Sequence, residues 1–240
     1  MTASSPSDRR RVALITAMES ELRPLVKLLG LERSADDPAI RVGRAGDADI
    51  VATTTGMGTV TATEVTERLL GAHDVDHVVV VGIAGAVDPD IAIGTVVVPE
   101  VVIDGTTEAE LRPVPLGDAS PSGTIRTSDE FVANDARLTE LRARGVVAVD
   151  METGSIGAVC ERHGRPWSVF RAISDRAGDT GLNDVALSLA HPDGSPNMAA
   201  VAKFFVTRPW DIPKLLQLGR DAKLASDNAA KAAVDALTRP

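Results

Sequence analysis

Val146-Val147-Ala148-Val149-Asp150-Met151-Glu152 and, further along, Val169-Phe170-Arg171-Ala172-Ile173-Ser174-Asp175 decide how this chain is read. Each is a short apolar run that ends abruptly in acidic residues. Val146–Val149 is apolar at every position and mostly β-branched, as expected of a strand covered on both faces. Carboxylates at such strand ends lie where the sheet stops and a cleft can open. A buried carboxylate is costly unless it is paired or protonated. Helix capping or a structural ion pair explains any one of Asp150, Glu152, Asp175 and Arg171. A shared cleft explains the four together better.

At 240 residues the chain has room for one large α/β domain or two small ones. A hydrophobic content of 44% with 25% charged residues belongs to a soluble globular protein. Aromatic residues make up only 2% and tyrosine is absent, so the core must be built from Val, Ala, Leu and Ile. The net charge of −9 argues against nucleic acid or an anionic membrane as the main partner and leaves small molecules open. Cys160 is the single cysteine, which excludes an internal disulfide and disfavours a cysteine metal site. It is expected to be an inert thiol inside a helix. His73, His77, His163 and His191 show no metal-ligand spacing, and no metal or organic cofactor is expected. The apolar stretch Val12–Met18 after Arg9-Arg10-Arg11 is too short to span a membrane and meets Glu19 and Glu21 at once. A cytoplasmic protein without stable membrane insertion is the expectation.

Residues 1–10 are rich in Ser, Asp and Arg and are expected to be disordered. Val12–Ala17 reads as a strand and Glu19–Leu29 as an amphipathic helix with Leu22, Leu25, Val26 and Leu29 on one face. Arg41–Gly43 and Ile50–Thr54 read as a hairpin through Gly46-Asp47. Gly56-Met57-Gly58 opens a helix from Thr59 to Leu70, and His77–Val81 is a strand ending in Gly82-Ile83-Ala84-Gly85. Thr95–Ile103 is a strand interrupted by Pro99, and residues 104–121 form a long loop. Asp135–Arg144 and Thr153–Arg162 read as helices, Val146–Val149 and Ser168–Ile173 as strands, and Gly178–Asn197 as irregular. Pro209 and Pro213 suit the first turn of a last helix that runs to Leu237. Strands and helices intermix with no linker or repeat, which implies one α/β domain.

Gly56-x-Gly58 is half of a dinucleotide fingerprint; Thr61 stands where the third glycine belongs, so a tight turn is the better reading. Gly82-x-x-Gly85 likewise lets a backbone come near something, not necessarily a phosphate. Asp175, if desolvated, would have a raised pKa and donate a proton near neutrality. Glu152 and Glu21 each lie just past a strand, so three carboxylates from three strand ends can converge on one cleft. That arrangement suits cleavage of a glycosidic bond. Glu19 is assigned to an exposed helix start, where the dipole favours an acid; for Glu21 the local sequence leaves both readings open.

Taken in order, these segments resemble the purine nucleoside phosphorylase and nucleosidase superfamily, and within it the methylthioadenosine/S-adenosylhomocysteine nucleosidases. Ala17-Met18-Glu19-Ser20-Glu21 is similar to the family's opening acidic motif, whose last glutamate helps position water. Thr55-Gly56-Met57-Gly58 and Val81-Gly82-Ile83-Ala84-Gly85 are similar to its two glycine turns. Ser128-Asp129-Glu130-Phe131-Val132 resembles the base-binding segment, whose phenylalanine stacks on the purine and whose next residue offers backbone groups. Asp150-Met151-Glu152 resembles the ribose motif, and Arg171-Ala172-Ile173-Ser174-Asp175 the motif carrying the general acid.

The resemblance implies a three-layer α/β/α domain over residues 11–240 around a mixed sheet, a homodimer, and hydrolysis of an adenosine-like nucleoside. It implies Asp175, Glu21 and Arg171 as catalytic residues. Glu152, Met151, Phe131, Val132, Ile83, Ala84, Gly85, Met18 and Ser174 would bind substrate. Two positions depart from the pattern. Where phosphorylases carry an arginine and a serine for phosphate, this chain has Val80 and Ile83, and the nucleosidases usually keep the serine too. An apolar pair there leaves a dianion unpaired, which favours water as nucleophile unless another cation such as Arg44 reaches the cleft. The tail, with His191-Pro192-Asp193-Gly194-Ser195-Pro196, Arg208-Pro209 and Leu215–Leu218, resembles hopanoid-associated nucleosidases. Phe204, Phe205 and Trp210 would then line an apolar 5′ pocket or pack the last helix. The rival readings are a phosphorylase, a non-catalytic binding or storage protein of the same fold, and a dinucleotide-binding oxidoreductase.

Overall fold

In the computed structural model, which describes residues 9–129, 135–176, 207 and 209–239, the apolar runs become the middle of one mixed sheet. The strands are β1 (Arg11–Thr16), β2 (Glu32–Arg33), β3 (Arg41–Ala45), β4 (Ala48–Thr54), β5 (His77–Ala86) and β6 (Val96–Val97). They continue as β7 (Val101–Asp104), β8 (Glu110–Leu111), β9 (Thr124–Thr127), β10 (Val146–Asp150) and β11 (Trp167–Arg176). The helices are α1 (Glu19–Leu29), α2 (Thr59–Ala72), α3 (Asp135–Ala143), α4 (Thr153–Arg162) and α5 (Ile212–Thr238), the last preceded by a 3-10 turn at Pro209–Asp211.

The central strands are apolar at successive positions because each feeds two cores at once, side chains alternating across the sheet. Val78 and Val80 of β5 pack with Ala62 and Leu69 of α2 and Ile156 and Cys160 of α4. Val79 and Val81 pack on the other face with Leu22 and Leu25 of α1 and with Ala225, Ala229, Ala230 and Ala233 of α5. The architecture is therefore α/β/α, and small alanines let α5 lie close to the valine-rich sheet. Val146–Val149 departs from the expectation: only alternate residues of β10 are fully buried. Cys160 is buried, and burial pushes its thiol up to about 12, the chemistry of an inert group. Among the described residues no helix is long and apolar enough to cross a membrane.

The topology creates a gap at the middle of the sheet. On one edge β5 pairs parallel with β1 as far as Val80, and then antiparallel with β10 from Gly85. Residues 81–84 have neither strand on that edge. On its other edge β5 pairs with β11 from Val78 to Ala86, with one register shift between Ile173 and Asp175. Backbone groups stranded in such a gap must find side-chain partners or water.

Three sequence readings change here. Gly82–Gly85 is no turn but the continuation of β5, which extends to Ala86. β9 went unread, because Thr124-Ile125-Arg126-Thr127 has one apolar residue. Its Arg126 is nevertheless buried, bonded to Glu108 and to the Gly105 carbonyl. The loop expected over 104–121 contains the short strand β8, which pairs with β7.

Candidate active site

The gap in the sheet is filled by charged side chains. Glu21 lies in the first turn of α1 and is 1% exposed, whereas Glu19, two residues earlier, is exposed and 3.7 Å from Arg41. Two residues are about 200° of helix rotation, so one glutamate faces the sheet when the other faces water. Glu21 Oε2 accepts hydrogen bonds from the backbone N–H groups of Ala17 (2.9 Å) and Met18 (2.8 Å). Its Oε1 accepts from the N–H of Ile83 (2.8 Å), one of the stranded groups of β5. Burial raises the Glu21 pKa; Arg171 and these three donors pull it back only in part.

Arg171 projects from β11 into the same gap and is 1% exposed. Nε donates to Thr153 Oγ1 (2.9 Å) and forms an ion pair with Asp150 Oδ2 at 2.9 Å. Nη2 donates to Glu152 Oε2 (3.3 Å), and Nη1 donates to the Ile83 carbonyl (3.3 Å) and lies 3.7 Å from Glu21 Oε1. Burial by itself would lower the Arg171 pKa, but Asp150, Glu152 and Glu21 outweigh it and hold the guanidinium charged. This spacing requires glycine at 82, where an added methyl would overlap Arg171 Nη1 and Glu21 Oε1.

Glu152 stands at the N-terminal boundary of α4, with no side-chain capping bond, and is 5% exposed. Its Oε1 accepts from the N–H of Gly58 (3.0 Å), so the first glycine turn is tied to the ribose-motif glutamate. Asp129 fixes the same turn from the far side, accepting from Thr59 N (2.9 Å) and Thr59 Oγ1 (2.5 Å). Asp175 is half-buried near the end of β11, where the register slips at Ser174. Ser174 Oγ donates to Asp175 Oδ1 (2.6 Å), and a methyl at Gly85 would come to 3.3 Å from Asp175 Oδ2. Arg171 pairs with the three other carboxylates and not with Asp175.

Burial pushes Glu152 up to about 7, with Arg171 pulling back and Asp150 adding to the rise. A carboxylate raised in the folded state contributes stability that is present below its unfolded value and lost as pH rises through the folded one. Glu152→Gln is therefore expected to melt higher than the parent at about pH 8, by on the order of 1–3 kcal/mol, with the gap closing by roughly pH 5. The parent's own profile does not isolate this. Burial lowers His77 from 6.5 to about 4, which removes stability in the opposite sense as pH falls. Melting curves of both proteins across that range check the prediction, and a gap independent of pH would contradict it.

The other expected residues fall as follows. Met18, Met151, Ile83 and Gly85 are half-buried and Ala84 buried, all beside these carboxylates in the chain or along β5. Phe131 and Val132, and with them the proposed base contacts, lie outside the described residues, as do Phe204, Phe205, His191–Pro196 and Arg208. Trp210 is 71% exposed, so it does not pack the last helix. Arg44 is level with Asp49 and Arg11, at the opposite end of the sheet from Glu21, and does not reach the cluster. Sequence reasoning missed the supporting hydroxyls of Thr127 and Thr153 and the part Asp150 plays among them.

Comparison with known proteins gives a consistent picture. The sequence model of the Phosphorylase superfamily matches residues 11–121 and, overlapping, 112–206. The 5′-methylthioadenosine/S-adenosylhomocysteine nucleosidase of Marinomonas sp. (strain MWYL1) is 31% identical over 168 residues, covering 57% of this chain and 72% of its own. The protein of the same name from Chromohalobacter salexigens is 27% identical over 201 residues, covering 70% and 86%. Among solved structures, S-adenosylhomocysteine nucleosidase from Streptococcus pyogenes, in complex with 5-methylthiotubericidin, superposes with a TM-score of 0.71 at 20% identity. That match covers 98% of both chains.

Proposed function

The chain belongs to the phosphorylase superfamily, and from that membership we propose that it is a purine nucleosidase. It hydrolyses the N-glycosidic bond of a 5′-substituted adenosine to free adenine and free sugar, the activity that its relatives' names describe. The observation that carries this reading is the charge of the buried cluster. One guanidinium, Arg171, faces three carboxylates, Glu21, Asp150 and Glu152, so the fully ionised group is anionic. Cleavage of a glycosidic bond passes through a cationic, oxocarbenium-like sugar. A preorganised anionic site stabilises that charge as it develops, with little reorganisation.

In this reading Asp175, held by Ser174, protonates the departing purine at N7. Glu152, anchored through its other oxygen to Gly58, accepts hydrogen bonds from the ribose hydroxyls. Glu21 and Arg171 order the attacking water. Phe131 stacks on the base, Val132 offers its backbone to it, and Met18, Met151, Ile83, Ala84 and Gly85 complete the walls. We take residues 11–240 as one catalytic domain, working as a cytoplasmic homodimer.

Water rather than phosphate is the nucleophile in this proposal. Val80 is wholly buried in the core, and the N–H and carbonyl of Ile83 are already committed to Glu21 and Arg171. A phosphate placed there would be left without donors, a large desolvation cost. The test is base release from a panel of 5′-substituted adenosines with and without phosphate. The expected product is the free sugar at a rate that ignores phosphate. A ribose-1-phosphate derivative as the main product would place the protein among the phosphorylases.

A further inference from the structure

Asp150 is held by four contacts within the cluster. Its Oδ1 accepts from Thr127 Oγ1 (2.6 Å) and from the backbone N–H of Thr153 (3.4 Å). Its Oδ2 accepts from Thr153 Oγ1, which itself accepts from Arg171 Nε, and is ion-paired with that same Nε at 2.9 Å. Thr127 in turn accepts from the N–H of Gly154 (2.7 Å), which locks the end of β9 to the start of α4. The Asp150 side chain is 2% exposed, and both its oxygens are engaged within the protein. A carboxylate buried behind another ion pair, with two hydroxyls arranged to satisfy it, is costly to build for structure alone.

We propose that Asp150 is a positioning residue for the glycosidic cleavage, acting through Arg171 on both Glu21 and Glu152 and keeping the site anionic around the sugar cation. The inference rests on the nucleosidase reading above. The geometry explains how it works. Arg171 is planar, so fixing Nε fixes where Nη1 and Nη2 point. Nη1 is the edge turned to Glu21 and the Ile83 carbonyl, and Nη2 is the edge turned to Glu152. One anchor therefore sets the separation of the water-ordering and ribose-binding carboxylates. The charge of Asp150 also acts directly on Glu152, which faces Arg171 from β11, Asp150 from β10, Glu21 from α1 and the Gly58 N–H.

The test compares the parent, Asp150→Asn and Asp150→Glu in adenine release from methylthioadenosine over a pH series, with melting curves to establish that each is folded. Asp150→Asn is expected to lower kcat/KM roughly 10- to 100-fold, the scale of a small misplacement of reacting groups. Its acid limb should move to lower pH, because removing a neighbouring anion favours the ionised form of Glu152. Asp150→Glu keeps the charge and displaces the anchor, so its rate should fall while the acid limb stays at the parent position. A merely structural role would lower the melting temperature and leave the limb of the folded enzyme in place. Asp150→Asn with the parent's rate and limb overturns the proposal. Should that variant not fold, Thr127→Val becomes the test, with a fall of about 3- to 10-fold in kcat/KM expected from loosening the anchor; a parental rate would overturn the proposal equally. Failure of the parent itself to release adenine would refute the nucleosidase reading instead.

Discussion

Asp175→Asn is expected to lower the rate of base release by about 10²–10⁴, the scale for removal of a general acid. The substitution keeps shape and a carbonyl oxygen that can accept the hydrogen bond from Ser174 Oγ, so the β11 bulge should survive. It removes only the acidic proton, and an amide cannot supply one to a departing purine. Substrate binding should therefore change little, because Glu152 and the glycine turn proposed to hold the ribose are untouched. Rates of adenine release, set against calorimetric affinity for a non-hydrolysable adenosine analogue, separate the two effects. Retention of most of the rate would show that the proton comes from elsewhere.

Arg171→Met should have the largest effect on stability. The guanidinium is the shared partner of Glu21, Asp150 and Glu152, all nine-tenths or more buried. Removing one partner of a buried ion pair leaves uncompensated charge and costs about 3–5 kcal/mol. For a chain of this size that lowers the melting temperature by roughly 6–20 °C. The sign of the pH dependence follows from the carboxylates. With Arg171 present, burial already raises Glu21 and pushes Glu152 up to about 7. Without it these groups should take up protons at still higher pH, so the variant recovers part of its lost stability as pH falls toward about 5. Arg171→Lys is not a conservative control, since an ammonium cannot face three carboxylates in one plane. A melting temperature of Arg171→Met equal to the parent's at neutral pH would mean that the three carboxylates do not depend on the guanidinium.

Much of the fold was legible because it rests on local chemistry. The period of Leu22, Leu25, Val26 and Leu29 placed α1 at its observed bounds, and α4 likewise began and ended where it was read. The apolar runs of β5 and β11 read as strands, and the two cores that share Val78–Val81 are why those runs are apolar at successive positions. The order of acidic strand ends pointed to the superfamily that the matching family model then established.

Tertiary structure decided the rest. Four consecutive residues holding two glycines read as a break, yet Gly82–Gly85 stays in the strand because β11 pairs along it, and the glycines make room for Arg171, Glu21 and Asp175. β9 was invisible because its buried Arg126 is satisfied by Glu108, distant in the chain and unreadable as a partner. Glu21 could equally have been a solvated helix-start residue. Only the gap where β5 leaves β1 and has not yet met β10 supplies the Ile83 N–H that draws it inward. Sequence determined which segments form strands and helices and which carry the acids, since those follow from each residue's own polarity and its near neighbours. Which acids share one arginine was left to strand register, because burial and charge coupling depend on groups brought together from five separate elements.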